Sequence, residues 1–241
     1  SLASGVSGPP TYYGLIACTV GAAAASLFWA IHGWHATAWL ALLATYAVFL
    51  GYLSPQSIGW TEVRLDSLWI FGSFLTFSFL TFALAGIAEA RRTGIFSLSS
   101  TLLAIVNLLL YILWVYRALT TYPSAPQWAI WLGLAGLLVL LAALAEAIGP
   151  RKGTYTQCYM AGAAVLVALA LPAVLSPAKS WPALALEGVI LVLVYRFTGI
   201  VLLKIVGIVL IPITFAGSVT QIGHPGQVTF ADYALPANWY C

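Results

Sequence analysis

The sequence predicts an all-α fold: a polytopic transmembrane bundle of seven helices, with eight, or a broken last helix, as the alternative. Three observations carry this. Hydrophobic residues make up 62% of the 241-residue chain and charged residues only 6%, whereas soluble domains carry about 25% charge. Apolar stretches of about 20 residues recur from end to end, each about 30 Å long as a helix and enough to cross the hydrocarbon core. The breaks between them hold the prolines, glycines and aromatic residues expected at a membrane interface.

Read in order, the spans fall at 12–32, 34–53, 67–89, 97–118, 127–148, 156–176 and 183–203. The first two are separated only by "HGWHA", a tight interfacial turn carrying His32 and His35. The loop "SPQSIGWTEVRLD" precedes the third span, with Asp66 and Ser67 placed to cap it. "TTYPSAPQW" and "PAKSWP" join later spans through helix-breaking and helix-starting prolines, and Tyr122, Trp128 and Trp181 fit an interfacial belt. The stretch 183–217 is too long for one simple span, so the last helix either projects or breaks near Lys204–Gly207, helped by Pro212. The whole of 1–241 reads as one membrane-embedded domain, with 218–241 an irregular surface tail. The opening "SLASGVSGPPTYYG" has no basic n-region, so no cleavable leader is expected from it.

Charge is scarce enough that each group counts. Glu89 with Arg91 and Arg92, in "AEARRTG", and Glu146 with Arg151 and Lys152, in "AEAIGPRKG", form matching knots at helix exits. A carboxylate opposes the dipole at a helix C-terminus, and the adjacent cations offer local compensation. Both are therefore read as structural charge clusters. Both loops lie on one membrane side, and the positive-inside rule makes that side cytoplasmic, with the N-terminus outside.

A helix ending in Glu, then Gly, then an aromatic-led helix, as in "WAIWLGLAGLLVLLAALAEAIGPRKGTYTQCYMAGA" (128–163), resembles a passage of the small proton-gated urea/amide channels and the small acetate-uptake proteins. The resemblance implies a small-solute conduit. The acetate family's N-terminal motif is not present in this chain, and its six-helix count differs.

Glu187, Arg196 and Lys204 are the intramembrane charge candidates, because an ionisable group within a span is costly. Glu187 falls about one turn into a span starting at 183, while Arg196 falls past its midplane and needs a partner from elsewhere. Ser73, Thr76 and Thr81 share one broad side of the third span, a possible wetted stripe, and Asn107 sits mid-span in "LLAIVNLLLYI". With Arg196 these are the candidates to line or gate a pathway, although Asn107 reads first as hydrogen-bonding glue between helices.

Several classes are excluded. No basic face serves nucleic acid. Cys18, Cys158 and Cys241 have no redox or metal spacing, and no His/Cys/Asp/Glu cluster has zinc spacing. A retinal protein is ruled out because Lys204 lies too far along its span and no mid-depth counter-ion faces it. Two bis-histidyl hemes would need four histidines, and the chain has three. No cofactor is expected, and no nucleophile or phosphate-loop motif is present, so the chain is not expected to be catalytic by itself. The favoured function is a small channel or carrier for a small neutral or weakly acidic solute. The alternative is a non-catalytic structural subunit of a larger respiratory, transport or other membrane complex. The expected surroundings are membrane lipids and either further copies or other membrane subunits, in the plasma membrane.

Overall fold

The computed structural model of the chain describes residues 10–53, 68–94, 97–121, 125–148, 153–175 and 177–222. Among them are eight helices and no strand: α1 Pro10–His32, α2 His35–Leu53, α3 Leu68–Thr93, α4 Leu98–Thr121, α5 Gln127–Ile148, α6 Thr154–Val174, α7 Pro177–Thr198 and α8 Val201–Ile222. Seven are long and apolar enough to cross a membrane; the described apolar part of α2, His35–Phe49, is shorter. The molecule is thus a polytopic membrane helical bundle. Arg64, Asp66, Ser67, Phe96, Tyr122, Arg151, Lys152 and residues 223–241 lie outside the described residues.

Three helix exits end on a glycine in the left-handed region: Gly33 (φ 72°), Gly94 (φ 66°) and Gly199 (φ 72°). Each donates its N–H to the carbonyl four residues back, on Trp29, Ala90 and Tyr195, at 2.8, 3.0 and 2.7 Å. A side chain in that conformation would cost about 1–2 kcal/mol, so glycine stops the helix where it stands. Gly199 also settles the ambiguous stretch after 183. The break falls there, not near Lys204–Gly207, and α8 returns along α7. Gly207 has a different task. A Cβ on it would lie 2.6 Å from the Gly188 carbonyl oxygen, so the two glycines let the α7 and α8 backbones touch. Pro212 lies inside α8, and residues 218–222, expected in the irregular tail, complete that helix.

Two compact units divide the chain. The first comprises Ser1–Ala125 and Ala143–Cys158, and its core follows coiled-coil-like steps of four and three. On α3 the buried seam is Phe71, Leu75, Ser78, Phe82, Ala85 and Glu89. On α4 it is Ser100, Ala104, Asn107, Tyr111, Trp114 and Ala118, and on α2 it is Ala38, Leu42, Thr45 and Phe49. The Phe79 and Tyr111 rings stack at 4.3 Å, and Phe49 meets Phe71 edge-on at 5.3 Å. The second unit comprises Pro126–Ala142 and Tyr159–Cys241. Its small core gathers Ala164, Ile200 and Leu203 with Met160, Leu191, Val194 and Val206. In both units large apolar side chains face outward, Leu40 and Phe215 among them, as a lipid-facing surface requires.

Candidate functional site

Glu89 is the last member of the α3 seam, and the seam turns it inward. It is 5% exposed, so it is not the solvated helix exit that the adjacent arginines suggest. Arg91 and Arg92 are exposed. The compensation comes from three other helix segments. Trp29 Nε1 donates to Glu89 Oε2 at 2.8 Å, and Ser100 Oγ donates to the same oxygen at 2.5 Å. His35 Nε2 lies 2.9 Å from Oε1. Both oxygens of this buried carboxylate thus have partners, which offsets the cost of taking the group out of water.

Behind this first ring stands a second. Ser97 caps α4: its Oγ accepts the N–H of Ser100 at 3.0 Å, the N-cap arrangement. Its hydroxyl also meets Ser100 Oγ at 2.6 Å, and Ser100 Oγ lies 2.9 Å from His35 Nε2. Because Ser100 gives its proton to Glu89, its oxygen accepts from Ser97 and shares the single Nε2–H of His35 with Glu89 Oε1. The protonated Nε2 is inferred from these partners. Tyr155, at the start of α6, donates to the Ser100 carbonyl at 3.3 Å. The α1–α2 turn, the α3–α4 turn and the start of α6 therefore converge on one carboxylate.

Two glycines make room for this. A Cβ on Gly86 would lie 2.6 Å from the Tyr155 hydroxyl and 3.0 Å from the Trp29 ring, so only glycine lets both aromatics close over Glu89. A Cβ on Gly33 would lie 3.5 Å from Arg92 Nη2 and 4.0 Å from Glu89 Oε1, which places the guanidinium beside the turn at the cluster's edge. The His35 side chain is 28% exposed against 7% for Glu89, so the imidazole is the link between the buried carboxyl group and water. Further down the α1–α3 seam, Ser26 and Ser78 are buried and their hydroxyls have no hydrogen-bond partner among the described residues.

The residues expected from sequence to line a pathway are not brought together here. Asn107 is 1% exposed and occupied: Tyr46 donates to its Oδ1 at 2.8 Å and its Nδ2 donates to the Phe79 carbonyl at 3.1 Å. Thr76 bonds the Tyr111 hydroxyl at 3.0 Å. Ser73 and Thr81 donate to the carbonyls of Trp69 and Ser78 on their own helix. Glu146 is partly buried near the end of α5, while its companions Arg151 and Lys152 lie outside the described residues.

In the second unit the depths differ from the sequence reading, because α7 begins at Pro177. Glu187 is then mid-helix, partly buried, with Oε2 buried and unpartnered. Arg196 is exposed within one turn of Gly199, and Lys204 is exposed in the first turns of α8, its Nζ 5.4 Å from the centre of the Tyr195 ring.

Trp29, Gly86, Ser97, Ser100 and Tyr155 join the site without having been among the sequence candidates, and His35, read as part of an interfacial turn, proves to be its link to water. The readable signal was the α3 repeat, whose steps from Phe71 land on Glu89. No group of three or more His, Cys, Asp or Glu suited to a metal occurs among the described residues. Comparison with protein-family models, with curated proteins and with solved structures finds no match.

Proposed function

We propose that the chain is a membrane carrier or channel for a small neutral or weakly acidic solute, with the Glu89–His35 cluster as the polar site at one mouth of the first unit. The observation that carries this reading is the burial of a carboxyl group at the end of a spanning helix, joined to water by one imidazole. Ionisable groups in such positions are costly and mark pathways or coupling sites. The unpartnered hydroxyls of Ser26 and Ser78 extend the polar positions inward along the same seam, where buried polar groups without partners require an explanation. The resemblance of 128–163 to small-solute channels points the same way. The role is transport and not catalysis.

Orientation follows from the basic residues. Arg91, Arg92, Arg151, Lys152, Arg196 and Lys204 flank the turns after α3, α5 and α7, while Arg64, Arg117 and Lys179 flank the opposite turns. With eight crossings the positive-inside rule places the Glu89 cluster on the cytoplasmic side and both chain ends outside.

The test is reconstitution of the full chain into liposomes and measurement of urea, glycerol and acetate flux. Glu89→Gln keeps the shape of the site and changes its carboxyl to an amide; it is expected to lower flux about tenfold, equivalent to losing about 1.4 kcal/mol of interaction with the solute. Absence of flux in the wild type, together with stoichiometric co-purification of other membrane proteins, would sink the proposal. That outcome would favour the structural-subunit reading, which the filled hydrogen bonds of Asn107, Thr76, Ser73 and Thr81 support.

A further inference from the structure

The α7–α8 hairpin carries two cations that the transport reading does not use. Arg196 and Lys204 are both exposed, and neither has a carboxylate within 4.0 Å among the described residues. The register puts them on one flank. Val192 packs against Gly207, where a Cβ would meet its Cγ2 at 3.0 Å. Arg196 lies four residues beyond Val192, one turn toward the hairpin tip, and Lys204 lies three before Gly207, nearly one turn toward the same tip. The ring of Tyr195 supports the Lys204 ammonium from below, as aromatic faces do for cations.

Two further features surround the pair. The N-terminus of α8, at Val201, adds its partial positive charge to the same place. Deeper along α8 than Lys204, on its outward side, stand the exposed Ile205 and Ile208. Cations at the end of a spanning hairpin, directly above an outward apolar strip, match a lipid in both parts: phosphate at the tip, acyl chain along the flank. A soluble protein partner would have no use for the strip, which lies at hydrocarbon depth.

We infer that Arg196 and Lys204 form a binding site for the phosphate headgroup of an anionic phospholipid, whose acyl chain lies along Ile205 and Ile208. This inference does not depend on the proposed transport function.

The experiment uses the full chain in nanodiscs of phosphatidylcholine containing a minority of phosphatidylglycerol, followed by native mass spectrometry of the retained lipid. The wild type is expected to retain phosphatidylglycerol over phosphatidylcholine. Arg196→Gln with Lys204→Gln should weaken that retention roughly 30-fold, about fivefold per charge. Arg91→Gln with Arg92→Gln, which removes two exposed cations elsewhere, should change it by no more than about twofold, because the inferred site holds its lipid at the α7–α8 tip and not by the general surface charge that each cation contributes. Arg196→Lys with Lys204→Arg should keep it, which separates loss of charge from loss of fold. Equal retention of the two lipids, equal loss in both neutralised pairs, or displacement of the lipid by inorganic phosphate would each overturn the inference. So would a change in oligomeric state on neutralisation with lipid retention unchanged, since the cations would then serve another copy of the chain.

Discussion

At the scale of single residues, the two matching knots show how little a local motif decides. Glu89 is preceded at the third position by Gly86, whereas Glu146 has Ala143 at that position. One methyl group at Gly86 would occupy the space of the Tyr155 hydroxyl and the Trp29 ring, so this glycine is what lets the first knot close over its carboxylate. Replacing Glu89 by Leu leaves the Trp29 indole, the Ser100 hydroxyl and the His35 imidazole facing an apolar group. The expected loss is about 3 kcal/mol, because buried donors without acceptors cost about 1–3 kcal/mol each and the pair with His35 is broken. Thermal unfolding in detergent, with Glu89→Gln as a milder comparison, measures it. A melting temperature unchanged by Glu89→Leu would show that the cluster is wet and loosely held.

At the scale of elements, the α7–α8 hairpin rests on backbone contact between two glycines. Gly207→Ala would set a Cβ 2.6 Å from the Gly188 carbonyl, and Gly188→Ala would set one 3.0 Å from the Gly207 carbonyl. Backbone cannot move aside as a side-chain end can, so overpacking costs of about 1–3 kcal/mol apply, with Gly207 the worse of the two. Gly133→Ala meets nothing within 4 Å on α5 and should be neutral or stabilising by up to about 1 kcal/mol, as helix propensity dictates. Protease susceptibility near residues 199–200 ranks the three variants. The order Gly207, Gly188, Gly133 is expected, and a reversed order would mean that the hairpin is spread apart in the membrane.

At the scale of the whole molecule, the count of crossings sets the sides on which the ends lie. Seven crossings would separate the two chain ends, and eight place them together. Reporter fusions at both ends, with single cysteines beside Gly94 and at Ala125 for labelling from either face, distinguish these. The expectation is both ends outside, Gly94 inside and Ala125 outside. A C-terminal reporter active only inside would show that α2 or α8 fails to cross, and would move the assignment of the α6–α7 connection with it.

The sequence by itself determined the class of molecule and the approximate position of most spans. Those follow from composition, run length and charge, which act one residue at a time and need no neighbour. It also located the ambiguity after residue 183, though not its resolution. Gly199 and Gly207 look alike in sequence; backbone conformation makes the first a turn, and contact with Gly188 makes the second a packing surface. The role of Glu89 likewise depended on tertiary structure. The α3 seam points it inward, but its stability there needs Trp29, His35 and Ser100, drawn from sequence distances of 60, 54 and 11 residues. Partners so far apart leave no local pattern, and only helix packing brings a buried carboxylate and its donors to the same place.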